Sequence, residues 1–300
     1  MQPVYSLMKV SIIIVNYNTF DVTCNCIESV IRYTKECDYE IILVDNASTK
    51  GNADGFLARF PSIQLIKSPV NGGFAKGNNL GIAHATGDII LLLNSDTYLQ
   101  EDSISKAAKQ YSLLDGVSAL TVRLIYPDGK LQHTARKFRS ITNEILDLFR
   151  PILKLLPYKK RSQLMLNQYF NGDYDTWCDW VSGAFMMFDK NLLDPLPGKI
   201  LDERFFMYGE DHLWCYQFSQ FQLRCYYYSQ TTVVHIHGAS TDPAKQLRLQ
   251  KMFINLEEEI VSYRKGRSLY YYIFCFIFSA KENLRHSIKR LFALFNVKIR

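Results

Sequence analysis

Residues 88–97 read Asp-Ile-Ile-Leu-Leu-Leu-Asn-Ser-Asp-Thr. The apolar run 89–93 is short and unbroken, the pattern of a strand buried on both faces. It ends abruptly in Asn94-Ser95-Asp96. Open α/β sheets bind ligands at the carboxyl ends of their strands. Asp96 therefore stands where a carboxylate can hold a divalent cation and, through it, a diphosphate; a turn Asp closing a strand is the other reading of the same residue.

Working outward, the β-branched run 10–16 and the stretch 40–45 are two more buried strands, the second ending in Asp45, and 63–67 is a short third. Between them, Val22, Cys26, Val30 and Tyr33 recur at helical spacing over 21–33, with Thr19 or Asp21 as the expected cap. Residues 71–79, Asn-Gly-Gly-Phe-Ala-Lys-Gly-Asn-Asn, open a helix reaching about residue 85. Strands alternating with helices imply βαβ units and a mainly parallel sheet. A helix over 101–114 and a strand over 117–122 follow, then a turn at Tyr126-Pro127-Asp128-Gly129. Beyond it, 141–170 reads as helical with breaks at Pro151 and Pro157, 177–188 as a strand broken at Gly183, and 210–220 as a helix. The stretches 223–228 and 231–236 read as extended, and 244–264 as a long helix.

Three hundred residues, 48% of them hydrophobic, suit one large domain with or without an appendage. Seven scattered cysteines without a CxxC pair read as reduced thiols of a cytosolic protein. The first apolar run is too short for a signal peptide and continues into a strand. Of the net charge of +6, residues 281–300 carry six Lys and Arg against one Glu, or +5, a basic tail suited to an anionic surface.

A dinucleotide fold places GxGxxG after the first strand, where this chain has Asn16-Tyr17-Asn18-Thr19, and no GxxxxGK[ST] P-loop is present. What remains is a row of strand ends carrying Asp45 and Asp96 with a glycine-rich loop between them. In the order Ser11–Asn18, Val44–Ser48, Asn71–Asn78, Leu93–Asp96, Trp180–Phe185, Phe206–Asp211 and Val233–Gly238, the chain resembles the family 2 glycosyltransferases of the GT-A fold, and within them bacterial rhamnosyltransferases of cell-surface polysaccharide synthesis. The implied architecture is α/β, a Rossmann-like GT-A sheet flanked by helices, with residues 1–240 catalytic (9–122 for the nucleotide sugar, 123–240 for the acceptor) and 241–300 a helical appendage.

The resemblance places Asn16, Asn18, Asp45, Asn46, Gly72, Gly73, Lys76, Asn78, Asn94 and Asp96 around the donor. A carboxylate such as Asp45 can accept the N3–H of uracil or thymine, a charge-assisted bond worth roughly 1.5–3 kcal/mol. Gly72 and Gly73 would let backbone N–H groups approach the nucleotide at a helix start, and Lys76 would offset phosphate charge. Asp96 corresponds to the family's metal carboxylate. The usual motif carries acids at both outer positions, and here the first is Asn94. His235, with His237 in reserve, would complete the shell around Mn²⁺ or Mg²⁺, a nitrogen ligand favouring Mn²⁺. Asp211, next to Glu210, would be the general base of a single displacement that inverts the anomeric carbon; two acids also suit any helix N-terminus. Where the family continues with an Asp and an Arg, this chain has Leu213 and Gln217. Trp180, Gly183 and Ala184 would line the sugar, and His133, Arg136 and Arg139 would meet an acceptor diphosphate.

Residues 269–280 are twelve without charge, too few for a span of ~20. Flanked by Arg264, Lys265, Arg267 and the basic tail, they suit an interfacial helix on an anionic leaflet, or a helix packed on the catalytic domain or a second subunit. The sequence thus predicts an inverting glycosyltransferase, cytoplasmic and peripheral to the inner membrane. Its substrates would be a nucleotide-diphosphate sugar (dTDP-rhamnose, then a UDP-hexose) and a glycan or lipid-linked acceptor. A homodimer is an option, nucleic acid is not an expected partner, and the rival reading is a catalytically inactive scaffold of a polysaccharide assembly complex.

Overall fold

The computed structural model describes residues 8–236 and 246–294, without side chains at 167, 168, 246–253, 286 and 288–294. The first part alternates: β1 (Val10–Asn16), α1 (Phe20–Tyr33), β2 (Tyr39–Asp45), α2 (Asp54–Arg59), β3 (Gln64–Lys67), α3 (Gly73–Ile82), β4 (Ile89–Asn94), β5 (Thr97–Leu99), α4 (Ser103–Ser112) and β6 (Val117–Ile125). The second part holds β7 (Ala135–Arg136), the short helices α5 (Ile141–Leu148), α6 (Arg150–Leu153), α7 (Tyr158–Leu164) and α8 (Leu166–Tyr169), then β8 (Thr176–Cys178), β9 (Trp180–Val181), β10 (Phe185–Asp189), α9 (Glu210–Ser219) and β11 (Arg224–His235). Helices α10 (Gln246–Lys265) and α11 (Leu269–Leu294) follow.

Nine strands form one sheet in the order β3-β2-β1-β4-β10-β6-β11-β5, with β8 also on β11. Strands β1, β2, β3, β4, β6 and β11 share a direction, and β5, β8 and β10 oppose it, so the sheet is mixed and mainly parallel, as expected. The continuous apolar runs follow from burial on both faces. Ile12, Ile14, Leu91 and Leu93 pack into the core on one side, and Ile13, Ile90 and Leu92 into the core on the other. Truncating one such Leu to Ala costs about 2–5 kcal/mol. All seven cysteines are free thiols, five of them buried.

Two short elements, α2 and β5, were not anticipated by the pattern. The two extended stretches expected at 223–228 and 231–236 are one strand, β11, whose register on β6 shifts between Tyr228 and Thr232. Pro151 lies in the first turn of α6 and Pro157 is the N-cap of α7, which divides 141–170 into four short helices.

The C-terminal helices pack on the preceding part of the chain. Lys281 of α11 is buried and donates to Glu144 and, at 2.7 Å, to Asp147 of α5, while Arg285 Nη2 reaches Asp147 at 2.5 Å and Nη1 reaches Glu282 at 3.0 Å. Two cations counted in the basic tail are therefore spent inside the fold. Among the described residues no helix is long and apolar enough to cross a membrane.

Candidate active site

Because β1, β2 and β4 pair in register, Asn16, Asp45 and Asn94 end on one edge of the sheet. Strand β11 ends there too, and β10 begins there with Phe185 opposite Leu93. A cleft of about 1080 Å³ runs along this edge. It is lined by Asn46, Gly73 and Asp96 from the first part of the chain, by Gly183, Asp211 and His235 from the second, and by Glu257 and Phe278 from the C-terminal helices. Asp96 and Asp211 thus face one cavity.

The unanticipated β5 is what brings His235 to Asp96. Thr97 pairs with His235 across β5 and β11, and the Ile236 N–H donates to the Asp96 carbonyl at 2.9 Å. His235 Nε2 then lies 3.1 Å from Asp96 Oδ1 and 3.2 Å from Asn94 Nδ2. On the other side of the ring, Gln132 Nε2 donates to the His235 carbonyl at 2.6 Å, so Gln132 Oε1 is the acceptor 2.7 Å from Nδ1. That arrangement makes Nδ1 the donor to Gln132. Nε2 thus meets the Asp96 carboxylate and the Asn94 amide, and a carboxylate plus an imidazole oriented by a hydrogen-bonded amide is a fitting donor set for Mn²⁺. No cluster of three or more His, Cys, Asp or Glu side chains forms a metal site among the described residues, so the remaining positions of any shell would come from substrate and water. Asn94 holds the histidine through its amide. Gln132 carried no signal in the sequence; only the contact between the segment after β6 and the end of β11 reveals it. His237 lies outside the described residues.

Asp211 sits in the first turn of α9. Its Oδ2 accepts the Gly183 N–H at 3.0 Å and its Oδ1 accepts the His212 N–H at 2.8 Å. Burial pushes its pKa above the ordinary Asp value, opposed by these two N–H groups and by the Arg136 charge. Glu210 is pushed up to about 8, first by burial and then by the Asp211 charge, and its Oε2 has no protein partner. Gly209, at φ +88°, precedes the helix, and a Cβ there would lie 2.4 Å from Leu256 Cδ2, so α10 is seated on the start of α9.

Beside Asp211 five side chains form a pile. The Arg136 guanidinium lies over Trp180 at 5.0 Å, Trp180 stacks on His212 at 4.7 Å with planes 2° apart, His212 stacks on Phe138 at 5.3 Å, and Arg264 caps Phe138 at 4.4 Å. Trp180 lines the cleft, with Arg136 and His212 packed against its ring. His212 is held down to about 4 by burial, against the nearby Glu257 charge. Arg136 donates Nε to the His133 carbonyl at 2.9 Å, and among the described residues its two terminal amino groups make no hydrogen bond. Burial lowers the pKa of His133. Arg139 is committed to Glu144 and Glu257 at 3.0 and 3.3 Å, which removes it from the free cations.

Several donor-side residues serve the fold directly. Asn16 Oδ1 accepts from Thr19 and Thr23 and so organises the start of α1, where Thr19 itself makes no side-chain cap; its Nδ2 donates to Asp45 Oδ1 at 2.7 Å. Asp45 is buried and also accepts the Ser48 N–H at 3.2 Å, which leaves lone pairs on a four-site carboxylate. Asn18 Oδ1 accepts the N–H groups of Thr49 and Lys50. Asn78 is buried and donates to the Phe74 carbonyl. Lys76 is exposed and lies along Gly72. None of these five lines the cleft, whereas Asn46, Asn71, Tyr17 and Thr19 do.

The glycine loop also departs from its expected role. The N–H groups of Gly72, Gly73 and Phe74 go to Asn46 Oδ1, Asn71 Oδ1 and the Phe206 carbonyl at 3.2, 3.0 and 2.9 Å. Gly73 has φ +82°, and a Cβ there would sit 2.1 Å from that same carbonyl oxygen. The glycine is required by the approach of residue 206. Gly183 likewise admits Phe74, 3.0 Å from its absent Cβ, and Asp211. Ala184 lines the cleft and accepts the Asn94 N–H at 3.0 Å.

The family model described as glycosyl transferase family 2 matches residues 11–189. The chain is 30% identical over 180 residues to the uncharacterized glycosyltransferase YwdF of Bacillus subtilis (strain 168), covering 58% of this chain and 66% of that protein. It is 36% identical over 103 residues to a poly(ribitol-phosphate) beta-glucosyltransferase of Bacillus spizizenii, 32% of this chain and 16% of that one. Over 135 residues it is 27% identical to the O-antigen biosynthesis protein RfbC of Myxococcus xanthus, 44% of this chain and 10% of that one. The chain spans less than two thirds of the length of each of these relatives. Among solved structures it resembles S. aureus TarS 1–349 (TM-score 0.54, 15% identity, 91% of this chain and 71% of that one) and mannosyltransferase PcManGT from Pyrobaculum calidifontis in complex with GDP-Man and Mn²⁺ (TM-score 0.58, 14% identity, 93% and 75%). That likeness is one of fold, the GT-A arrangement.

Proposed function

The chain belongs to glycosyl transferase family 2, and from that premise we propose that it is an inverting transferase of cell-surface polysaccharide synthesis. It moves a sugar from a nucleoside-diphosphate donor, dTDP-rhamnose before a UDP-hexose, to a glycan or polyprenyl-diphosphate-linked acceptor. The observation that carries the reading is the shared cleft, lined by the Asp96–His235 pair and by Asp211 alike.

In this reading the donor nucleoside lies against Tyr17, Thr19, Asn46 and Asn71, with Asp45 one residue from that wall. Asp96 and His235 hold a divalent cation, Mn²⁺ or Mg²⁺, which when bound supplies Lewis-acid stabilisation of the departing diphosphate. Gln132 and Asn94 keep His235 oriented for that role. Asp211 accepts the proton of the acceptor hydroxyl as its oxygen attacks the anomeric carbon, and the Gly183 and His212 N–H groups aim the carboxylate. Its raised pKa makes it a stronger base than a surface Asp. Arg136, with two uncommitted amino groups beside Asp211, meets the anionic part of the acceptor. The apolar outer face of α11 (Leu269, Tyr272, Ile273, Phe276) rests on an anionic membrane surface at the cytoplasmic side.

The test is turnover of a nucleotide-sugar panel with and without Mn²⁺. Asp211→Asn should lose ~10²–10⁴ in rate while still binding the nucleotide. His235→Ala should weaken the Mn²⁺-dependent rise in melting temperature seen with the nucleoside diphosphate. No turnover with any donor in the unaltered chain would favour the scaffold reading instead.

A further inference from the structure

Helices α5 and α6 meet in an elbow whose outer side is apolar and open. Ile145, Leu148, Phe149 and Ile152 recur at i, i+3, i+4 and i+7, all exposed, and Leu155 beyond them is 84% exposed. A monomeric protein seldom leaves such a row uncovered without an interaction to make. The opposite side of α5 is the one that carries Glu144 and Asp147, locked to Lys281 and Arg285 of α11. The elbow is therefore a firm projection.

Its charge says what covers it. Residues 148–165 contain Arg150, Lys154, Lys159, Lys160 and Arg161 and no acidic residue. Arg150 pairs with Asp147, and Arg161 donates to the Lys154 and Leu156 carbonyls. Lys154, Lys159 and Lys160 are exposed, and none forms an ion pair among the described residues. Apolar side chains at the tip with exposed lysines free of ion pairs around them, Lys159 over the Tyr174 ring at 6.0 Å, match a bilayer of anionic lipid, where acyl chains take the one and headgroup charge attracts the other. A protein partner would need an acidic rim around an apolar hollow; a bilayer supplies both without special fit.

We infer that the α5–α6 elbow is a membrane-contact site for anionic lipid, separate from the outer face of α11. It deepens the membrane reading above and stands on its own residues. Helix α5 is fixed to α11, and Arg285 and Phe278 of α11 line the cleft, so the elbow would bring the Arg136 side of the cleft toward the lipid surface.

The experiment is vesicle flotation of the full chain with phosphatidylcholine alone and with phosphatidylglycerol added. Unaltered protein should float with the anionic vesicles only. At about 1 kcal/mol per lysine near the surface, Lys154→Gln, Lys159→Gln and Lys160→Gln together should lower vesicle affinity on the order of a hundredfold. Ile152→Ser with Leu155→Ser should lower it too, with donor hydrolysis in detergent-free buffer unchanged. Phe276→Ser on α11 is the separate control for that helix. Elbow variants that float as well as the unaltered chain overturn the inference, whether or not Phe276→Ser releases it. It is equally overturned if Ile152→Ser with Leu155→Ser turns a dimer into a monomer by light scattering while leaving flotation intact.

Discussion

Gly73 has two rival explanations, a close approach by the nucleotide or a close approach by residue 206, and one substitution separates them. In Gly73→Ala the new Cβ would lie 2.1 Å from the Phe206 carbonyl oxygen and 2.9 Å from its carbonyl carbon. These are backbone atoms, so no rotamer change relieves the overlap. Holding a non-glycine residue at φ +82° costs about 1–2 kcal/mol. Overpacking against fixed atoms adds roughly 1–3 kcal/mol. Loss of the Phe74 N–H to Phe206 carbonyl bond adds about 1 kcal/mol. The sum is about 3–6 kcal/mol, a large part of the ~5–15 kcal/mol available to a folded domain. Gly72→Ala is the control. There φ is −84°, which any residue adopts, and the new Cβ would lie 2.8 Å from Lys76 Cβ, so an overpacking cost of roughly 1–3 kcal/mol is expected without the backbone strain and the lost hydrogen bond. Urea unfolding at unchanged slope gives both values, and calorimetric titration of the nucleoside diphosphate gives the affinity of the folded fraction. A Gly73→Ala protein as stable as the parent, yet unable to bind nucleotide, would refute the reasoning and return the glycine to the ligand.

Three further outcomes are expected. Glu210→Gln mimics the neutral side chain that a pKa near 8 implies, so its rate at neutral pH should stay within about threefold of the parent, in contrast to Asp211→Asn; an equal loss in both variants would show that Glu210 works as an anion. His212 is neutral in the fold, with a pKa near 4 against an ordinary 6.5, so the unfolded chain binds the extra proton between those values. Its contribution is therefore complete above about pH 6.5 and lost as pH falls toward 4, about 3 kcal/mol in all; chemical denaturation across that range should show the slope, and His212→Phe should flatten it. Lys281→Met leaves Glu144 and Asp147 short of their buried cation and should cost about 3–5 kcal/mol by urea unfolding, while Lys281→Met with Glu144→Gln and Asp147→Asn should recover part of it.

The strands were legible because burial on both faces writes itself as an uninterrupted β-branched run, and 10–16, 40–45 and 89–93 each became β1, β2 and β4 within a residue. The identities at their ends were legible for the same reason, since register then aligns them. What stayed hidden depends on distant segments. Gln132 meets His235 103 positions away, and nothing local to a glutamine announces that. Gly73 and Gly183 do line the cleft, but a glycine signals only that something comes close, and the sequence could not show that Phe206 and Phe74 are the protein neighbours there. The stacking of His212 on Trp180 likewise joins residues 32 positions apart and left no local signal. The charge count of the tail could not distinguish Lys281, buried among carboxylates, from a solvated lysine, and so 241–300 looked more detachable than its packing allows.

The pile of rings beside the base has an optical consequence. Indole emission is sensitive to whatever touches its faces, and Trp180 packs against the His212 imidazole and the Arg136 guanidinium. The chain has only two other tryptophans: Trp214, which is fully buried, and Trp177, which lies against Tyr226. With those two replaced by Phe, the remaining fluorophore touches Arg136, the residue proposed to meet the anionic part of the acceptor. The molecule would then light or dim as its acceptor arrives, a reporter already wired to the site without any label.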